Sequence, residues 1–169
     1  MKKMVFLSFM VIFFFNSYIS LGQTRVSPED LDPIIGNWSG SLTYLDYSSG
    51  KPFTMPAELK AVKTEGTNNY KINFSYPDEP GANSETLFSI SEDGSILNDE
   101  KVISKLLLEN GNLEIITEDT GTDGNDNRPA TFRHTYILGK DVFVIRKDVL
   151  FAQENNWINR NEFSFKRIR

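Results

Sequence analysis

The sequence has 169 residues, a formal net charge of −5, no cysteine and a single histidine. The lack of cysteine excludes disulfides, thiol catalysis and cysteine-ligated metals. The acidic balance argues against nucleic acids and anionic membranes as partners, because both would be repelled by a negatively charged surface. We expect no resident metal or cofactor, and we find no residue pattern that assigns an enzymatic activity.

Residues 1–22 have the pattern of a removable signal peptide. Lys2 and Lys3 precede an apolar run over residues 4–15, and Ser20-Leu21-Gly22 places small residues before a cut at Gln23. The run is too short for a transmembrane helix, which needs about 20 apolar residues. We therefore predict export to the periplasm or the extracellular space. The mature chain would have no transmembrane segment and a net charge of −7.

Residues 23–35 form a lead-in to the domain. Ser27-Pro28-Glu29-Asp30-Leu31 combines a helix-capping residue, a proline at the first helical position and acids in the first turn. This pattern predicts one short helical turn, which Pro33 ends.

From Gly36 to the end of the chain, apolar residues recur with a period of two, which indicates strands with one buried face. Short links rich in Asn-Gly and Asp-Gly separate these runs and favour antiparallel hairpins. We predict an all-β fold over residues 36–169, an up-and-down antiparallel meander barrel of about 8–10 strands. A two-sheet sandwich is the alternative, but it usually needs longer crossovers. The alternating runs are residues 38–44, 53–61, 70–76, 132–138 and 163–167, with further strands at 87–90, 102–108, 113–117 and 142–146.

Two short motifs resemble those of the calycin superfamily, which includes lipocalins, fatty-acid-binding proteins and avidins. Gly36-Asn37-Trp38 opens the first strand just after the helical turn, and Phe163-Ser164-Phe165-Lys166-Arg167 lies at the end of the chain. The resemblance implies a lipocalin-like barrel in which Trp38 closes one end and Arg167 packs across its ring. The sequence has no room for the helix pair of fatty-acid-binding proteins, and it lacks the long C-terminal helix and the disulfides of typical lipocalins.

A barrel of this size can either be filled by side chains or hold one small ligand. The resemblance favours a small apolar or amphipathic ligand in the interior; we name no protein partner. A packed barrel that acts through rim segments 117–128 and 148–157 is the alternative. The candidate ligand-binding residues are the inward-facing aromatics and the histidine, namely Tyr44, Tyr70, Phe74, Phe132, His134, Tyr136, Phe163 and Phe165, with Tyr76 as a further lining residue.

Three other interpretations stay open at this point. His134 could ligate haem iron, as a single histidine does in one branch of calycin-like barrels. A calycin-type isomerase would use Tyr44, Tyr136 and Arg146. Residues 119–127 are rich in Asp, Asn and Gly and faintly resemble a calcium loop, but Gly121 and Ala130 stand where ligands belong. We predict that this segment is a long polar hairpin loop at the rim.

Overall fold

The structure, a computed structural model, describes residues 24–46 and 48–169. The predicted signal peptide lies outside these residues. Among the described residues, no helix combines the length and apolar character needed to cross a bilayer.

The chain folds into ten antiparallel strands, and the predicted fold class is confirmed. One helical turn, α1 (Pro28–Leu31), continues into a 3₁₀ turn (Asp32–Ile34), and a second 3₁₀ turn covers Pro80–Ala82. The strands are β1 (Gly36–Asp46), β2 (Lys51–Lys63), β3 (Asn69–Ser75), β4 (Ser84–Ser89), β5 (Ile96–Leu97), β6 (Glu100–Leu107), β7 (Leu113–Asp123), β8 (Arg128–Leu138), β9 (Val142–Phe151) and β10 (Ile158–Arg167).

The strands form one sheet in the order β4-β3-β2-β1-β10-β9-β8-β7-β6-β5. Sequence neighbours are therefore paired everywhere except between β4 and β5, and β1 pairs with β10 from Trp38–Arg167 to Tyr44–Asn161. The sheet closes on itself through a short seam, where Ile90 forms a bridge with Leu97. Because the seam is short, the barrel is nearly rather than fully closed.

A glycine allows β1 and β10 to approach each other. A Cβ atom at Gly40 would lie 1.9 Å from the carbonyl oxygen of Ser164. No larger residue fits there without moving the backbone.

One end of the barrel, here called the floor, is sealed by the lead-in. Leu31 and Ile34 are buried in the main core with Trp38, and the Trp38 indole donates a 2.7 Å hydrogen bond to the Ile34 carbonyl. Lys105 of β6 forms a 2.7 Å ion pair with Asp30. The helical turn is therefore tied to the barrel by apolar packing and by a half-buried charge pair.

Arg167 completes the floor. Its guanidinium carbon lies 4.2 Å from the centroid of the Trp38 ring. The same group donates hydrogen bonds to the carbonyls of Lys140 (2.6 Å), Ile35 (2.8 Å) and Pro33. One side chain thus joins the last strand, the β8–β9 turn and the lead-in.

The opposite end, the rim, differs from the prediction. Residues 119–123 belong to β7 and pair with residues 128–132 of β8, so the predicted polar loop is reduced to residues 124–127. The wrong prediction came from reading Asp, Thr and Gly as turn residues. Here their strand conformation is stabilised by pairing with β8, where Gly121 leaves room for the Phe132 ring: a Cβ would lie 2.7 Å from it.

The floor contacts predict that Arg167→Lys destabilises the protein. A lysine has one ammonium group and cannot reach three carbonyls, and it loses the planar stack on Trp38. We expect the free energy of unfolding to fall by about 1–3 kcal/mol in urea-induced unfolding.

Arg169→Lys is the matched control. Arg169 is almost fully exposed, and its side chain forms a 3.5 Å ion pair with Asp141 at the surface, so the change should be below about 0.5 kcal/mol. Equal losses in the two variants would refute a special role of Arg167 in the floor.

Candidate functional site

One row of side chains crosses six neighbouring strands on the inward face. The strand register places its members directly opposite one another. Because opposed residues in an antiparallel pair share a face, the row faces the barrel interior as a unit. We call it the polar row; it consists of Phe53, Tyr44, Asn161, Lys147, His134 and Thr117, from β2 to β7.

The polar row marks the level at which solvent reaches the interior. Thr117 is fully buried, but Tyr44, Asn161, Lys147 and His134 are half-buried and Phe53 is 49% exposed. Towards the floor, the next row on the same six strands is mostly buried: Met55, Leu42, Phe163, Ile145, Tyr136 and Ile115. Only Leu42 and Phe163 of that row remain half-buried.

A carboxylate is held at one end of the polar row. The Nδ1 atom of His134 lies 2.7 Å and 2.8 Å from the two carboxylate oxygens of Glu100, and the buried Thr117 hydroxyl donates a hydrogen bond to the same carboxylate. The His134 and Glu100 side chains are only 20% and 14% exposed. The pair is therefore largely withdrawn from water, and a hydrogen bond between such groups is stronger than at the surface.

Glu100 reaches this position because of a tight turn. Asn98 and Asp99 both have positive φ angles, 54° and 65°, and they join β5 to β6 as a two-residue hairpin. Asn and Asp tolerate this conformation better than most residues. Asn98 also accepts a 2.9 Å hydrogen bond from the Ser89 backbone N–H and so ties the turn to β4 across the seam.

Tyr136 lies directly below this pair. Its ring is 6.3 Å from the His134 ring and 5.8 Å from Phe88, and its hydroxyl is 3.3 Å from the side-chain nitrogen of Asn98. Burial, and then the nearby Glu100 carboxylate, raise the pKa of Tyr136 well above its usual range. Tyr136 therefore stays a neutral phenol at any physiological pH.

Next to His134 in the polar row, Lys147 of β9 places a cation against an aromatic ring. The Lys147 ammonium lies 4.0 Å from the centroid of the Phe132 ring. Phe132 packs on a small rim cluster of Ala130, Val149 and Phe151 that is separate from the main core. The polar row therefore lies between two apolar regions, the packed lower core and the rim cluster.

The structure divides the predicted ligand-binding residues into two groups. Tyr44, Phe132, His134 and Phe163 lie at or next to the polar row and are half-buried. The others are part of the packed core: Tyr70, Phe74, Tyr136 and Phe165, together with Tyr76. Tyr70, for example, donates a 2.6 Å hydrogen bond to the Pro28 carbonyl near the floor.

The three residues of the isomerase interpretation do not converge. Arg146 is exposed on the outer face of β9, where it forms a 2.9 Å ion pair with Asp148, whereas Tyr44 and Tyr136 face inward.

Sequence reasoning missed Glu100, Thr117, Lys147 and Asn161 as site residues. It ended the β9 strand at Arg146, because Arg-Lys-Asp reads as a polar boundary, although β9 continues to Phe151. It also overlooked the Asn98-Asp99 turn. The turn could have been predicted from the Asn-Asp dipeptide. The inward-facing polar residues could have been predicted by continuing the alternation of strand faces by two residues beyond each apolar run.

Two surface grooves lie at the floor end, away from the polar row. One, of about 680 Å³, is bordered by residues 24–28 and 91–94. The other, of about 570 Å³, is mainly apolar and is bordered by Pro33, Leu107, Leu113 and Leu138. Neither contains the convergent polar and aromatic groups that a specific small-molecule site needs.

The comparisons with known proteins support the fold and leave the site open. No protein-family model matches the sequence, and no curated protein is significantly similar to it. The structure of Rv2717c from M. tuberculosis is similar with a TM-score of 0.56 and 11% identity, over 86% of this chain and 99% of that one. A protein of unknown function from the DUF3598 family of Nostoc punctiforme has a TM-score of 0.44 and 14% identity, over 87% of this chain and 51% of that one.

The Glu100 contact predicts the tautomer of His134. A carboxylate accepts hydrogen bonds, so the proton should reside on Nδ1 and the Nε2 lone pair should face the interior. Because the chain has one histidine, ¹⁵N NMR of the untagged protein gives a single pair of ring-nitrogen signals. We expect a protonated Nδ1 in the wild type and loss of that bias in Glu100→Ala.

Glu114→Ala is the control for that measurement, because Glu114 lies on the outer face of β7, opposite Ile137. The same tautomer in all three proteins would contradict the assigned contact.

Proposed function

We propose that this protein is an exported, lipocalin-like member of the calycin superfamily that binds one small amphipathic molecule at the polar row. Three features support the proposal: the nearly closed meander barrel, the Trp38–Arg167 floor and the signal-like residues 1–22. The ligand would enter from the rim and rest on the packed lower core.

The half-buried state of the polar row is the observation that carries this proposal. Inward-facing side chains of a filled barrel are buried at every level, as Trp38, Ile72, Phe143 and Phe165 are here. Aromatic and hydrogen-bonding groups that face inward and still contact solvent are the usual lining of a small-molecule site. The packed rows below limit the ligand to the rim half of the barrel.

The alternative of a packed barrel acting through its rim has weaker support. Trp157 is the large aromatic residue at the end of rim segment 148–157, where an exposed indole would indicate a contact surface. It is half-buried and stacks on Arg133 with a distance of 4.2 Å from the guanidinium carbon to the ring centroid. Arg133 in turn pairs with Glu118. The indole is therefore held by intramolecular contacts on the outer face.

Thermal unfolding with a ligand panel tests the binding proposal. Fatty acids, aromatic metabolites and haem cover the chemistry that the polar row can accommodate. A ligand present at 100 times its dissociation constant stabilises the native state by about 2.7 kcal/mol. For a domain of this size we expect a rise in melting temperature of about 5–10 °C. No shift with any compound would count against the proposal.

Tyr44→Ala locates the binding site in the same assay. We expect it to lower the affinity for a hit by about tenfold, since buried aromatic contacts dominate binding energy. Leu87→Ala is the control, because Leu87 is 56% exposed and lies on the outer face of β4. A Soret band after incubation with haem, lost in His134→Ala, would instead favour the haem interpretation.

Export is tested separately by cell fractionation and N-terminal sequencing. We expect the mature protein outside the cytoplasm with Gln23 as its first residue. A replacement of Gly22 by a bulky residue should block cleavage, because the position before the cut must be small. Retention of Met1 or Lys2 in the wild type would refute the signal peptide.

A further inference from the structure

Lys147 carries the only positive charge of the polar row that has no counter-charge among the described residues. Its Cα lies opposite Asn161 on one side and His134 on the other. The ammonium contacts the Phe132 ring and makes none of the ion pairs found in the described part of the chain. A half-buried ammonium keeps three hydrogen-bond donors but has lost part of its hydration.

No carboxylate of the described residues lies within ion-pair distance of the Lys147 ammonium. Glu100 is engaged by His134 and Thr117, and Asp123 is paired with Arg160 at 3.5 Å. Asp119 lies opposite Phe132, is exposed and is not within ion-pair distance of the ammonium. The cation therefore faces the interior unneutralised, in a protein whose overall charge is negative.

Hydrogen-bonding capacity is also free on both sides of Lys147. Among the described residues, His134 makes no hydrogen bond through Nε2, because its contact with Glu100 uses Nδ1. The side-chain amide of Asn161 likewise has no hydrogen-bond partner in the described part of the chain; only its backbone carbonyl accepts one, from Asn159. Lys147 and the Asn161 amide thus hold hydrogen-bond donors without an acceptor, while Nε2 of His134 is an acceptor without a donor.

The polar row becomes apolar from Lys147 towards β2. Two strands further on, the Tyr44 and Phe53 rings lie 5.5 Å apart, and Leu42 and Phe163 form the level below them. Lys147 and Phe53 are separated by three strand spacings, about 14 Å along the curved sheet. The surface therefore changes from a cation to aromatic rings over the length of a small amphiphile.

We propose that the ligand is an acid: an amphiphile with one anionic group that accepts hydrogen bonds from Lys147 and from the Asn161 side-chain amide, and an apolar body that lies along Tyr44, Phe53, Leu42 and Phe163. This inference rests on the proposed function and adds the charge of the ligand and its direction in the barrel. An anion at Lys147 forms charge-assisted hydrogen bonds, which are stronger than neutral ones.

Two fluorescent probes that differ by one anionic group test the inference. 1-Anilinonaphthalene-8-sulfonate and N-phenyl-1-naphthylamine share the same rings, and only the first carries a sulfonate. Displacement of the neutral probe by decanoate and by 1-decanol repeats the comparison with an aliphatic body. Each titration uses the wild type, Lys147→Met and Lys60→Met, with a thermal melt of every variant as a folding check.

Lys60 is the matched control because it is exposed on the outer face of β2 and its loss changes the net charge equally. We expect Lys147→Met to weaken binding of the sulfonate probe and of decanoate by about 10- to 100-fold. The neutral probe and decanol should change by less than about twofold, and Lys60→Met should leave all four affinities unchanged.

The outcomes separate the two proposals. Binding of both members of each pair with no selective effect of Lys147→Met would overturn the acid inference and leave binding in the barrel intact. Equal losses in Lys147→Met and Lys60→Met would also overturn it, because overall charge would then explain the preference. If neither member of either pair binds the wild type, the proposed function itself fails.

Discussion

The pairing of β1 with β10 is the constraint on which the rest of the structure depends. It joins the first long strand to the last, and through it every inward-facing row continues from the N-terminal strands to the C-terminal ones. Gly40 permits the close approach, and Arg167 fixes the end of the pair to the floor. If this pairing slipped by one residue, each inward side chain of β10 would turn outward. The register of one strand pair thus determines which residues can meet in the interior.

The polarity and packing of the barrel interior change from the floor to the rim. Near the floor it is closely packed and apolar, and Tyr136 remains a neutral phenol at the boundary. Above it, the polar row carries charge that would be costly to bury in the core itself. The Glu100–His134–Thr117 contacts satisfy one end of the row, whereas Lys147 contacts the Phe132 ring and forms no ion pair with the described residues. The polar row therefore changes in character across the strands. It begins at the hydrogen-bonded Glu100 carboxylate, continues to the Lys147 ammonium and ends at the Tyr44 and Phe53 rings.

Much of the fold could be predicted from alternation alone. The faces of residues 38–44 and 70–76 followed from strict period two, and the Gly-x-Trp motif indicated which end is closed. The errors arose where the local sequence favours a conformation different from the one that pairing with a distant strand imposes. Thr120-Gly121-Thr122 has turn composition but continues β7, since β8 pairs with it and Phe132 fills the space above the glycine. Lys147 was missed because a charged residue rarely faces inward, and Glu100 because its position depends on a two-residue turn whose side-chain contacts, with Ser89 and Tyr136, are distant in sequence.

The strand order has a consequence for synthesis of the chain. Because β1 pairs with β10, the sheet of the four N-terminal strands keeps its β1 edge unpaired until β10 has been synthesised, and its β4 edge is covered only at the short seam. Such nascent edges can recruit the wrong strand from a neighbouring polypeptide. Pairing with β10 therefore removes the edge through which the earliest part of the fold could aggregate.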